Sequence, residues 1–394
     1  MISTIETFLK RESSAGVLLI FVTIIALLLQ NSGLSALYTG FLHTHVEVRF
    51  GDLQIAKPLF LWVNDGLMAV FFFLIGLEVK REFLEGHLSS ISQVALPGLA
   101  ALGGMVVPAL VFIAFNKGES FAMNGWAIPT ATDIAFALGV LSLLGNSIPA
   151  SLKVFLLALA IIDDLGAIVI IALFYTVDLS TASIVIASIA LVTLFAMNRM
   201  GVASKAAYIL VGIVLWVSVL KSGVHATLSG VALAFMIPLN CKGSDGESFS
   251  MSKEMEYDLH YWVALMILPL FAFVNAGVDL RGISLEEMLS PVPMGIMLGL
   301  FIGKQLGVFG FSWLAIKSGI ASLPKDSSWT QLYGVSILTG IGFTMSLFVD
   351  SLAYNDTKVY LYADKLAILL GSFLSGIVGY YVLKRANSNK QASP

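Results

Sequence analysis

Two adjacent carboxylates, Asp163 and Asp164, stand at the centre of Leu156–Ile171, a run otherwise made only of Leu, Ala, Ile, Val and Gly. The nearest Lys or Arg upstream is Lys153, and none follows until Arg199. A run this apolar reads as a membrane-spanning helix, which needs about 20 residues to cross the hydrocarbon. At its midpoint each ionised Asp costs roughly 2.5–3.5 kcal/mol. Whole folds are stable by only about 5–15 kcal/mol, so the pair reads as an ion or proton site. At 3.6 residues per turn the two side chains diverge by about 100°, leaving one as main ligand and the other to pair elsewhere. Carboxylate, hydroxyl and carbonyl oxygens suit a hard cation such as sodium. Burial and like-charge repulsion favour a protonated carboxylate, so protons and a cation compete for one place. Opened to each side in turn, such a site exchanges them. If two protons leave for each monovalent cation bound, net charge moves, and the membrane potential contributes about 2.3 kcal/mol per charge per 100 mV.

Other residues belong with this chemistry. Lys304, within Leu300–Gly307, has no acidic residue in helical reach. It either snorkels to an interface or meets Asp163, or the negative carbonyl ends of interrupted helices. In Ala127–Ala135, Pro129 breaks a helix, and Thr130, Thr132 and Asp133 are capping types that can begin a new one. Asp133 then offsets the positive amide end of a half-helix at mid-membrane depth, with or without touching the cation. Thr339–Thr344 contains Gly340 and Gly342, which loosen a second span. Glu78, Arg81 and Glu82 share a helix face, as an ordinary charged helix end or as an acidic vestibule that gathers cations. His225 begins a span at the outer surface, as packing or as a pH-sensitive group. Glu254, Glu256, Asp258 and His260 read as a solvated charged helix start.

The elements that position these groups are helices. The chain has 394 residues, 58% hydrophobic and 12% charged, with a mean hydropathy of +0.91. Soluble domains carry about a quarter charged residues, so the class is an all-α polytopic membrane protein. No basic stripe suggests nucleic acid. The single cysteine, Cys241, excludes a disulfide framework. Among His43, His45, His87, His225 and His260 only the first two are closely spaced, as loop residues. Ser14–Gln30, after Lys10 and Arg11, is too long for a signal peptide and reads as the first span.

Twelve spans are predicted: 14–30, 58–77, 91–115, 121–144, 150–176, 180–197, 203–219, 223–238, 258–277, 291–316, 329–352 and 360–383. Fourteen Lys and Arg, from Lys10 and Arg11 to Lys384, Arg385 and Lys390, fall on the side of the termini. Six fall opposite: Arg49, Lys57, Lys117, Lys221, Arg281 and Lys358. The bias puts both termini in the cytoplasm. The whole of 1–394 reads as a single transmembrane transporter domain. Spans interrupted in both halves point to inverted repeats, 91–176 and 291–383. Lys365 stands in the second where the first has its Asp pair. On the outer face, residues 45–56 alternate around Gly51-Asp52 as a β-hairpin. An isolated hairpin is marginal in water, and a second copy of the chain is its simplest partner.

A resemblance reaches the same residues. Trp62–Phe72, Gly76–Glu82, Trp126–Ala137, Ala158–Gly166, Gly223–Thr227, Gly303-Lys304 and Gly340–Ser346 resemble the bacterial NhaA-type sodium/proton antiporters across nearly the whole chain. That family is itself an example of the inverted-repeat architecture. The resemblance implies twelve spans, with spans four and eleven interrupted and crossed. It implies a homodimer of the bacterial inner membrane, joined partly through the outer hairpin. The function implied is electrogenic, pH-regulated exchange of internal Na+ or Li+ for external H+, serving sodium and pH homeostasis. By resemblance Asp164 is the principal cation ligand, with Asp163 paired to Lys304 and Thr132 lending oxygen. Asp133 and Lys304 balance the half-helix ends, and Glu78, Arg81, Glu82, His225 and Glu256 belong to pH control. The implied partners are the lipid bilayer and the transported ions, with no cofactor. The acidic, serine-rich segment Asn240–Asp258 departs from the pattern.

Three rival classes fit less well. An intramembrane aspartyl protease needs a Gly-x-Gly-Asp setting, which is absent. A prenyl-transfer enzyme repeats its aspartates at three or four residues, but Ala167 and Ile168 hold those positions. A cation channel has no need of a central lysine.

Overall fold

Long apolar stretches in a chain that must satisfy every backbone group internally can only become helices, and helices they are. The computed structural model describes residues 13–86, 88–176, 180–242, 247–354, 359–360 and 362–391. Lys10, Arg11, His87 and Lys358 lie outside the described residues, as does 243–246 of the divergent segment.

Among the described residues eight helices are long and apolar enough to cross a membrane: Leu59–Leu84, Gln93–Asn116, Ala122–Ser142, Ala150–Phe174, Thr181–Arg199, Met251–Gly282, Pro291–Lys317 and Ala363–Ser388. Two bent pairs raise the number to ten, Ser14–Gln30 with Ser35–Leu42 and Trp329–Leu338 with Phe343–Tyr354, the latter at 42°. The two other expected spans are the 16-residue Lys205–Leu220 and the nine-residue Leu228–Met236. At 1.5 Å per residue they fall short of the ~30 Å hydrocarbon thickness. Between them Ser222 and Gly223, at φ +85°, end one helix before Thr227 starts the next.

One compact unit comprises the chain up to Gly33, Ser90–Ala167 and Asn275 onward. A close helix crossing joins Ile91–Asn116 to Lys304–Lys317, where a Cβ on Gly103 would strike the Gly307 carbonyl and one on Gly307 would strike that of Gly103. Backbone cannot retreat as a side chain can. Gly307→Val is therefore expected to cost about 1–3 kcal/mol, the usual penalty of overpacking. Gly310→Val, where a Cβ meets nothing within 4 Å, serves as the control; the check is a lower melting temperature in detergent for the first variant alone. At the other end, Asn31 donates to the Leu27 and Val278 carbonyls (2.9 and 2.7 Å) and accepts from Leu280 N (2.8 Å).

The second unit comprises Leu34–Ser89 and Ile168–Val274. Leu228–Met236 packs on Met68–Leu84 through Gly76 and Gly230, around a core that includes Phe73, Leu77, Leu194, Tyr208, Ala234 and Met251. His45–Phe50 and Leu53–Pro58 pair antiparallel about Gly51-Asp52, with Gly51 at φ +60°. Trp62 Nε1 donates to the Val46 carbonyl (3.0 Å), Lys221 Nζ to that of Gln54 (3.1 Å), and Lys57 pairs with Asp65 (2.6 Å), fastening the hairpin to its unit. A shorter strand pair, Cys241–Lys242 with Ser248–Phe249, lies in the divergent segment.

Candidate cation and proton site

Three helix irregularities in the first unit set up the site. The Ala122–Thr130 segment stops at Pro129-Thr130, the chain runs extended through Ala131, and a new helix, Ile134–Ser142, begins with Asp133 as its cap. Trp329–Leu338 stops before Gly340 and restarts at Phe343. In Pro291–Lys317 a widened π-type turn, Gly299–Gly303, immediately precedes Lys304. Such turns cluster at functional positions. Gly299 and Gly303 let this turn lie close against its neighbours, since Cβ atoms there would meet Pro129 and Pro108.

Lys304 is fully buried, and its ammonium donates to Asp163 Oδ2 at 2.8 Å and to the Thr130 carbonyl. The carbonyl end of a helix carries partial negative charge, so Lys304 answers both a carboxylate and a half-helix terminus. Asp163 Oδ1 has no hydrogen-bond partner among the described residues. Asp164 is equally buried, at 2% exposure, and within electrostatic reach of Lys304.

Asp133 does the converse for amide ends. It accepts from Phe136 N (2.9 Å) at the start of its own helix, and from Thr344 N (3.1 Å) and Thr344 Oγ1 (2.5 Å) at the start of the other restarted helix. One carboxylate thus caps two helix starts. The interrupted stretches also clasp each other directly: Asp133 N donates to the Ile341 carbonyl (2.7 Å), and Thr132 Oγ1 to that of Thr339 (3.0 Å). Ser372 Oγ accepts from Gly342 N and Phe343 N (3.2 and 3.0 Å), while Ser346 Oγ donates to the Ile128 carbonyl (2.7 Å). Sequence reasoning assigned no role to Ser372, Ser346 or Thr344. The available signal was a hydroxyl in an apolar span, which in a membrane needs a partner.

The residues expected in pH control form separate groups in the second unit. Arg81 Nε bonds both Glu256 oxygens (3.0 and 2.9 Å), and its Nη1 meets Glu82 (2.6 Å). Glu78 faces His260 at 3.6 Å. Lys205 bridges Glu254 and Asp258 (3.0 and 3.2 Å), and Lys253 meets Glu85 (2.6 Å). The expected solvated helix start holds for Glu254, Asp258 and His260, which are exposed while they pair with bases or acids on neighbouring helices, and fails only for Glu256, which is half-buried against Arg81. His225 keeps other company. It lies within range of Asp65 and Lys57 and bonds the Tyr175 backbone.

The chain matches the family model described as Na+/H+ antiporter 1 over residues 6–383. It is 76% identical over 387 residues to the protein named Na(+)/H(+) antiporter NhaA of Sulfurovum sp. (strain NBC37-1), covering 98% of each chain. It is 66% identical over 384 residues to the protein of that name from a Nitratiruptor species, covering 98% of this chain and 99% of the relative. Similarity extends to the Pseudomonas fluorescens (strain Pf0-1) protein of the same name, at 56% over 393 residues, covering 100% of this chain and 99% of the relative.

Proposed function

Because the chain belongs to the Na+/H+ antiporter 1 family, we propose that it is a multi-pass membrane transporter, not an enzyme, exchanging Na+ for H+ at Asp163, Asp164 and Lys304. The observation that carries the reading is the fully buried ion pair of Lys304 with Asp163, beside Asp164 and at the Thr130 carbonyl end of an interrupted helix. A lysine and two carboxylates inside a bilayer are costly unless they act.

In the proposed cycle Asp164 is the principal Na+ ligand. Asp163 exchanges its bond to Lys304 for a share of the cation, and Thr132 lends an oxygen. One proton returns to Asp164 and one to the Lys304 amine, which gave up its proton when Na+ took its place on Asp163; the Asp163–Lys304 ion pair re-forms and the cation leaves. Asp133 and Lys304 keep the half-helix ends compensated throughout, so no unpaired dipole is left in a low-dielectric place. Two protons for each Na+ make exchange electrogenic, driving proton entry and Na+ exit, and Li+ is carried by the same oxygens. No cofactor takes part.

Twelve spans arise if the bent pairs and both short helices each count as one, with inverted repeats over 91–176 and 291–383 within a single transporter domain. Both termini face the cytoplasm and the protein resides in the inner membrane. Val46 and Val48 on the hairpin are exposed, which supports pairing of 45–56 with a second copy. The ion pairs among Glu78, Arg81, Glu82, Glu256 and His260, together with His225, support pH control of exchange. That exchange serves sodium and pH homeostasis.

Everted vesicles test the exchange itself. Addition of NaCl or LiCl to vesicles with a respiration-generated acid interior is expected to collapse the pH gradient, as read by a quenched acridine dye. KCl at equal concentration is expected to leave it. Indifference to Na+ across alkaline and neutral pH would end the reading.

A further inference from the structure

The Lys304 helix makes a second polar contact, which the exchange chemistry leaves unused. Gln305, buried at 7% exposure, sends Nε2 back to the Phe301 carbonyl (2.5 Å) inside the widened turn Gly299–Gly303. Its Oε1 accepts from Tyr333 Oη at 2.7 Å. Tyr333 belongs to Trp329–Leu338, and its ring meets Phe309 edge-on with centroids 5.2 Å apart. Gln305 and Phe309 are one turn apart, so a single face of the Lys304 helix grips Tyr333 twice.

These contacts close a ring. Lys304 reaches the Thr130 carbonyl, Thr132 reaches Thr339, the Thr339 helix carries Tyr333, and Tyr333 returns to Gln305, the neighbour of Lys304. Regular helix hydrogen bonding lapses in a widened turn, which makes that turn the place where the helix can shift. Gln305 ties off one carbonyl of the turn and anchors it to the interrupted helix.

We propose that Gln305 and Tyr333 are positioning residues: their bond transmits displacement of Trp329–Leu338 to the widened turn, and so sets whether the Lys304 ammonium stays on Asp163. The inference rests on Asp163, Asp164 and Lys304 being the exchange site. Na+ drawn to the interrupted stretch would, through this bond, loosen Lys304, and removing the bond leaves the lysine on Asp163 until more Na+ is present.

A purely structural role would make different demands. Replacing both members of a hydrogen bond by apolar groups of like shape is nearly neutral for stability. Gln305→Met and Tyr333→Phe, singly and together, are therefore compared with wild type as purified full-length protein in proteoliposomes. The double variant is expected to melt as wild type does, while the Na+ concentration for half-maximal exchange rises about three- to tenfold, the scale of one hydrogen bond. The pH profile is displaced in the same variant, and Tyr333→Phe alone reproduces most of both effects, so the single effects do not add. A double variant with wild-type half-saturation and pH profile, or one that loses only maximal rate in proportion to protein yield, overturns the proposal. Additive single effects overturn it too, since they deny the linkage. Wild-type protein that moves no protons with Na+ would overturn the exchange reading instead.

Discussion

Asp164→Asn is expected to abolish Na+-driven proton movement while leaving the protein folded in the membrane. Asparagine keeps the shape of the side chain, and the Asp163–Lys304 bond at 2.8 Å needs nothing from Asp164. What the proposed cycle loses is the charge that would hold a cation and the proton traded for it. Breaking a buried charge contact costs about 3–5 kcal/mol, and each 1.4 kcal/mol is tenfold in affinity, so Na+ binding weakens by at least about 100-fold. The measurements are the dye response in everted vesicles and Na+ binding to the purified variant by calorimetry. A wild-type response in Asp164→Asn would remove this residue from the site and leave the family membership standing.

The second large effect concerns stability. Lys304→Met leaves the Asp163 carboxylate and the Thr130 carbonyl facing each other with no cation between them. Loss of one partner of a buried ion pair costs about 3–5 kcal/mol, whereas replacing both by neutral groups is often neutral or better. Lys304→Met is therefore expected to lower the detergent melting temperature by several degrees, and Asp163→Asn added to it to restore most of the loss. Exchange is expected to stay impaired in the restored double variant, since its neutral pair has no charge to trade. If the double variant melts no higher than Lys304→Met, Asp163 is not the counter-ion that matters.

Much of this site could be read before any coordinates, for identifiable reasons. Asp163, Asp164 and Lys304 stand out because charge in lipid is expensive, and the cost depends on local sequence alone. The break at Pro129–Asp133 was legible because proline and capping residues act on their own backbone, and the helix does restart at Ile134. Contacts between distant spans were not legible in the same way. Nothing local distinguishes Ser372, which caps Phe343, or Tyr333, which meets Gln305, from any other polar residue in a span. Helix length failed for a related reason at 223–238, whereas 203–219 agrees with Lys205–Leu220 to within two residues. Apolar composition is high on both sides of Ser222-Gly223, yet where the second helix starts depends on the turn between them. The strand pair at Cys241–Lys242 is too short for alternation to register.

Asp133 serving two helix starts has a consequence for anyone recombining such proteins. Residues 127–134 and 339–346 are separated by two hundred positions but answer to one side chain. Chimeras that transplant either stretch without the other break a shared fastening, so the two should be moved as a single cassette.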